Sequence, residues 1–439
     1  MKFADSHGAT LLLPGGLGAG GAAAGSPPTR YLIDPPSGVW NSPYSLTLWI
    51  EPSAVLVAGS GVRSYLGGPL RTGAHQIFDT HSHPLPVHIR SNGTNATVTL
   101  AAGAAGFKAG DRIRVSGASQ PDFNGFYSVF SAYVAASGGA EFSFQMAQQP
   151  DPHDTIAEAG GAPVITFAAF YFGQQKPNKV LVGNQMSPIG WCAPEWWGAL
   201  PADNGIDATA AVQFALDSGH PINFLSDYRV DRVTVGAGTV LEGQGHALIG
   251  GAKVARNAVL EIKGDMCDIR DLQVHSDFGQ HYASAIHWYT NALNVNYVGF
   301  NRLRNIQFYY GKIGLLVGAP PTQKDCCSWQ GGVVPDGQAT NAPLSESNLD
   351  GMLFFGCETA IWYRQPNGFL EISNSVIGAQ NNEWPSGTFG WNSSAAIQMH
   401  HAGSLNIVNS DLESVVGAIF YRFSLFCDCF ATDWRLIGD

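Results

Sequence analysis

From residue 264 onward the apolar and polar positions fall into a repeat. One element reads apolar-x-Asn/Asp-x-x-apolar: IRDLQV at Ile269, LRNIQF at Leu303, ISNSVI at Ile372 and VNSDL at Val408. Its turn residues are Asp271, Asn305, Asn374 and Asn409, and Asn348 in SNLDGM fits a fifth copy less well. The other element is a small residue followed by apolar ones: SAIHW, IGLLV, TAIWY, AAIQM and GAIFY. Its second apolar positions, Ile286, Leu315, Ile361, Ile397 and Ile419, are separated by 29, 46, 36 and 22 residues. Irregular intervals above a floor of 22 suit a solenoid whose coil takes about three short strands, with insertions in the turns. Asn at one turn in coil after coil hydrogen-bonds local backbone, tolerates the left-handed region and stacks on the Asn of the coil above. The expected interior positions are Ile269, Leu272, Leu303, Ile306, Ile372, Ile377, Val408 and Leu412.

Ahead of the repeat, Val212, Ala215, Leu216 and Ala208 fall at spacings of three and four, the stripe of a short amphipathic helix over Ala208–Ser218. Asp207 is placed to cap it and Gly219 to end it, with Gln213 and Asp217 expected away from the stripe. Further upstream, ATVTL, KAGDRIRVSG, DFNGFYSVFSAYV, AEFSFQM and PVITFAAFYF read as five short strands with Gly or Asn between them. In DRIRVSG, Ile113 and Val115 face one way while Arg112, Arg114 and Ser116 face the other, as in a half-buried antiparallel strand. Residues 11–29 are rich in Gly and Ala and cannot bury enough apolar surface alone to order themselves. The expected organisation is a flexible segment at 1–29, a β-rich module at 30–85, a small antiparallel module at 86–175, a neck at 176–199 and the solenoid at 200–439. The chain stops on what reads as a coil, so a neighbouring chain, another protein or a further segment is expected to cover that end.

Composition narrows the partners. Lys plus Arg total 23 against 34 Asp plus Glu, a formal net charge of −11, with no basic run to neutralise phosphates, so nucleic acid is disfavoured. No stretch reaches the 18 or so apolar residues of a membrane span, and the opening MKFADSHGATLLLPGG does not read as a secretory signal. Seven cysteines, an odd number, read as buried free thiols rather than a disulfide framework. A metal clip at Cys427-Asp-Cys429 lacks a second ligand pair nearby, and the histidines His75, His81, His83 and His88 read as loop residues around Pro84 and Pro86. No metal and no cofactor is expected.

The order PEWWGA, then D-x-T-A-A-V-Q-x-A-L-x-S-G, then TVLEGQG resembles the entry to the right-handed β-helix of the pectate-lyase-like superfamily, in particular bacteriophage tailspike proteins. Residues 194–250 match by motif and 265–437 by repeat pattern; FLSDYRV departs where the family usually carries Pro and Gly before the Tyr. The resemblance implies an all-β fold with a C-terminal right-handed parallel β-helix, a helix capping its open end, and a homotrimer. It implies a tail-associated receptor-binding protein, exposed on the outside of the virion and made in the host cytoplasm, that recognises host surface polysaccharide with or without hydrolysing it. The segment LGGPLRTGAHQIFD resembles one that often precedes the β-helix in tail proteins, which implies attachment to phage tail or baseplate proteins through residues 1–85. The rival readings are a non-catalytic structural tail protein or adhesin on the same scaffold and a free bacterial polysaccharide-degrading enzyme. The vWiDH and RxPxxR motifs of pectate-lyase chemistry are missing, since Arg364-Gln365-Pro366 is followed by Phe369 where the second Arg belongs, and no Asp cluster is fit for Ca²⁺.

Aligning the coils on the Asn column, with Asn348 as its fifth member, lines up outward side chains. Two residues after the turn come Gln273, Gln307, Asp350, Val376 and Asp411; two further on come His275, Tyr309, Met352, Gly378 and Glu413. Three before the turn come Asp268, Arg302, Ser345, Glu371 and Asn406. Glycoside hydrolysis needs a carboxylic acid to assist the leaving oxygen and a carboxylate to activate water or attack. The candidate catalytic carboxylates are therefore Asp350, Glu371, Glu383, Asp411 and Glu413, with Asp350 and Asp411 expected two rungs, roughly 9–10 Å, apart. Trp384 and Trp391 in the insertion around Glu383, with Tyr309 and His275, are the candidate sugar-binding groups, because a flat ring stacks on a pyranose.

Overall fold

The computed structural model describes residues 10–15, 28–43, 45–100, 107, 111–134, 140–146, 157–172, 191–250, 258–262, 264–275, 284–288, 298–317, 344–345, 347–363, 369–379, 395–399, 404–414, 417–421 and 436–437. The chain is all-β in class and divides into two units, Met1–Ala199 with Gln213–His220, and Leu200–Val212 with Pro221–Asp439.

The first unit contains a parallel stack that the sequence reading did not anticipate. Strand Thr29–Ile33 pairs in parallel with Ala54–Ala58, which pairs with Phe78–Asp79. Thr10–Leu13 pairs likewise with Thr47–Ile50 and Leu70–Arg71, and Val39–Ser42 with Arg63–Leu66 and Phe170–Phe172. Being covered on both faces, Ala54–Ala58 is buried at every position, as a parallel strand enclosed by its own stack must be. An eight-stranded antiparallel sheet, running from Leu85–Pro86 to Gly161–Thr166, interrupts this stack before its last strand. In it Ile113 and Val115 are buried and Arg112, Arg114 and Ser116 are not. A 3₁₀ turn at Pro194–Trp197 buries Trp196 and Trp197 against Phe78, at 6.4 and 5.0 Å between ring centroids.

The helix spans Thr209–Asp217. The Asp207 carboxylate accepts the Thr209 N–H at 2.9 Å, and Gly219 follows with φ +76°. Gln213 was expected away from the apolar stripe, yet it is fully buried, its amide donating to Asp217 at 2.9 Å.

Among the described residues the second unit contains an 18-stranded sheet in which all pairings are parallel, arranged as three ladders. The first runs Ile222–Asn223, Val240–Glu242, Asp268–Arg270, Arg302–Arg304, Ser347–Asp350, Phe369–Ser373, Ser404–Val408 and Leu436–Ile437. The second carries Tyr228–Val230, Ala247–Ile249, Gln273–His275, Gln307–Tyr309, Leu353, Val376–Ala379 and Asp411–Ser414. The third brings Leu260, Ile286, Leu315, Ile361, Ile397 and Ile419 into one column. Ile269, Leu272, Leu303, Ile306, Ile372 and Ile377 are fully buried.

Three expectations need correcting. Val408 is 38% exposed and Ile407 takes the interior place, because successive strand residues face opposite ways and Ile407, not Val408, stands two before the turn. Leu412 is half-buried rather than interior. The turn of the fourth coil along this column is Gly351, not Asn348: Arg302 pairs with Asn348 and Arg304 with Asp350, which leaves Gly351 opposite Asn305. Asp271, Asn305, Gly351, Asn374 and Asn409 have φ of 53°, 53°, 68°, 52° and 47°.

Candidate functional site

With the register fixed by pairing, the outward columns differ from those of the sequence reading. The position two after the turn holds Gln273, Gln307, Leu353, Val376 and Asp411. Asp350 instead stands just before the turn, beside Arg304 and Ser373, so it does not share a column with Asp411. The following outward position holds His275, Tyr309 and Phe355, where Met352 was expected; Met352 is buried. Three before the turn stand Asp268, Arg302, Asn348, Glu371 and Asn406, with Asn348 in the place expected for Ser345.

The three rings form a row across successive strands. His275 and Tyr309 lie 4.6 Å apart at 52°, and Tyr309 and Phe355 6.0 Å apart at 53°. Phe355 is 41% exposed. The first two rings are held from the side by the residue two before each on its own strand: Tyr309 donates its hydroxyl to Gln307 Oε1 at 3.0 Å, and His275 Nε2 donates to Gln273 Oε1 at 3.0 Å. Gln273 spends its own N–H on the Gly245 carbonyl at 3.0 Å, which leaves its oxygen to face the imidazole. Burial holds the His275 pKa below its ordinary value, against the pull of Asp227, so the ring is neutral at neutral pH and presents a flat face.

Beside this row lies a cleft of about 320 Å³ lined by Glu242, Gln244, Gly245, Asp271, Leu272, Gln273, Asn305 and Gln307. The Glu242 carboxyl is in hydrogen-bond contact with that of Asp271; burial first, then this contact, holds Glu242 above its ordinary pKa, against Arg270. Arg270 also forms an ion pair with Glu242, and Asn305 donates to Asp271 at 2.9 Å. This pair was missed because Glu242 lies one coil before the repeat becomes legible at residue 264.

On the next coils Asp350 Oδ1 accepts from Asn374 Nδ2 and from Ser373 Oγ, both at 2.8 Å. Those two bonds, with the charge of Arg304, hold it ionised below the usual carboxylate range. Glu371 accepts from Asn348 at 3.1 Å. Since Asn348 pairs with Glu371, Asp350 and Glu371 are diagonal neighbours on adjacent strands, their backbones about 8 Å apart by rung spacing and strand rise. Asp411 is exposed and pairs with Val376. Glu413 pairs with Gly378. Glu383, Trp384 and Trp391 lie outside the described residues, as do Cys427 and Cys429.

The four histidines do not converge. His75 contacts Thr72, His81 packs on Phe214 at 5.8 Å, and His88 pairs with Glu158 at 2.9 Å. Among the described residues no group of three or more His, Cys, Asp or Glu is placed to hold a metal ion, and no helix is long and apolar enough to cross a membrane. Cys192, Cys267 and Cys357 are buried free thiols, which burial pushes up to about 12.

No family model matches the chain, and no curated protein matches it. Among solved structures it is similar, at 10% identity and a TM-score of 0.18, to the Gp54 tailspike of Acinetobacter baumannii bacteriophage AP22, solved in complex with A. baumannii capsular saccharide. The likeness covers 91% of this chain, which spans 60% of the length of that one.

Proposed function

We propose that the chain is a tailspike-type receptor-binding protein whose second unit is a right-handed parallel β-helix that recognises host surface polysaccharide. The observation that carries this reading is the row His275, Tyr309, Phe355, outward on successive parallel strands and held by Gln273 and Gln307. A row of flat rings with a row of amides alongside it is what a sugar chain needs, since ring faces stack on pyranose C–H groups while amides take hydroxyls. Parallel pairing of each strand with the strand one coil later is the connectivity of a β-helix, and parallel crossovers are right-handed in nearly all proteins.

Cleavage is the finer half of the proposal. Asp350, held ionised, is suited to activate a water, and Glu371, on the same face with its backbone about 8 Å away, is near enough for the two carboxyls to take up the spread that inverting glycosidases use between base and acid. Asp411, Glu413 and Glu383 remain in the candidate set, with Trp384 and Trp391 as further platforms. The assembly proposed is a homotrimer attached to a phage tail or baseplate through residues 1–85, on the outside of the virion.

The test is incubation of the protein with polysaccharide purified from candidate host cells, reading binding by calorimetry and cleavage by new reducing ends. Binding that Tyr309→Ala weakens supports the site. Cleavage that Asp350→Asn abolishes while binding persists supports the catalytic half; binding without cleavage makes the protein a non-catalytic adhesin. No binding to any host polysaccharide overturns the reading.

A further inference from the structure

Gln273 and Gln307 each belong to two features at once. Both line the cleft, and each holds one ring of the outer row. A sugar chain lying across these coils therefore meets a ring platform and an amide-lined hollow with no gap between them. The cleft, near the lower end of the size range for ligand pockets, offers amide donors and acceptors from Gln244, Asn305 and the two glutamines.

Its charge decides what it admits. Glu242 and Asp271 touch through their carboxyls, an arrangement that needs a proton between them or leaves two like charges in contact. Of the nearby cations, Arg270 pairs with Glu242, and Arg304 makes two bonds to Asp268, at 2.7 and 2.8 Å. Among the described residues that line the cleft none is a cation. A third carboxylate brought in by a ligand would add repulsion with nothing in the lining to offset it.

We infer that the ring row and the cleft form one composite saccharide site selective for uncharged sugar units. Tyr309 and His275 stack one pyranose, the cleft takes hydroxyls of the adjoining unit, and Glu242 with Asp271 turns away uronate and sialate. This rests on the polysaccharide reading above and adds the class of sugar.

The test uses the full chain on an array of hexose, N-acetylhexosamine, uronate and sialate oligosaccharides, with the acidic ones present both free and methyl-esterified. The expected result is binding to neutral oligosaccharides and, for any acidic backbone that is recognised, at least about tenfold tighter binding of its methyl ester. Glu242→Gln with Asp271→Asn should narrow that difference to within about twofold, while Tyr309→Ala weakens every ligand together. The ester comparison uses the unaltered protein, so it holds even if the double variant does not fold. Equal or tighter binding of free acids overturns the charge filter and leaves polysaccharide recognition standing. Absence of binding to every array member and to host polysaccharide alike overturns both.

Discussion

At the turn column the backbone sits in the left-handed region five times over, a conformation that costs an ordinary side chain about 1–2 kcal/mol and Asn less. The amides turn that tolerance into a chain of bonds, Asn409 donating to Asn374 at 2.6 Å and Asn374 to Asp350 at 2.8 Å. Asn374→Ala loses both bonds and keeps the strained φ, so it should destabilise by about 1–2 kcal/mol in urea unfolding, with Asn374→Gly recovering part of the loss. Gly351 meets the same demand at φ 68° with no side chain, and a Cβ there would need the Asn305 amide oxygen to move aside. A second residue-level expectation concerns Asp217, which burial pushes up to about 7 against the pull of Arg112 and Gln213. Its folded pKa lies above its ordinary value of 3.8, so folding takes up a proton between the two. Stability is then full below that window and declines as pH rises through about 7. Unfolding midpoints at pH 4, 6 and 8 should show this decline in the native protein and a flatter profile in Asp217→Asn.

Among the elements, the strands of the third ladder were legible because the same small-then-apolar pattern recurs whatever the length of the insertions between them, and Leu315, Ile361 and Ile397 in it are buried. Leu260, Ile286, Leu315, Ile361, Ile397 and Ile419 stand in one column despite their uneven spacing. The turn of the Gly351 coil was not legible, since the signal sought was an amide or carboxylate and glycine meets the same backbone demand without one. That single substitution of type moved Asp350 out of the column assigned to it and hid Phe355. The parallel stack of the first unit was hidden differently: Arg63–Leu66 and its partner Phe170–Phe172 are separated by the whole antiparallel sheet. On adjacent paired strands of the second unit, the register partners Phe308 and Phe354 stack at 4.3 Å with their planes 1° apart, both buried. Phe308→Ala removes one ring from that stack and should cost about 3–5 kcal/mol, measured by thermal or urea unfolding.

For the whole molecule, the expected assembly is a trimer, and large apolar side chains stand outward on the second unit: Met266 at 60%, Phe300 at 44% and Val376 at 39% exposed. Light scattering at micromolar concentration should return three times the 46.6 kDa chain mass; the mass of one chain would remove the trimer from the proposal. The three ladders also bear on how the protein is made. A strand of the third ladder meets its partner 22 to 46 residues further along the sequence rather than at the far end of the chain. At roughly 5–20 residues per second of translation, that partner leaves the ribosome about 1–9 s later. The second unit can thus be laid down in order of synthesis, each turn serving as the template for the next, and an arrested nascent chain should protect its finished turns from protease while the last one stays open to cutting.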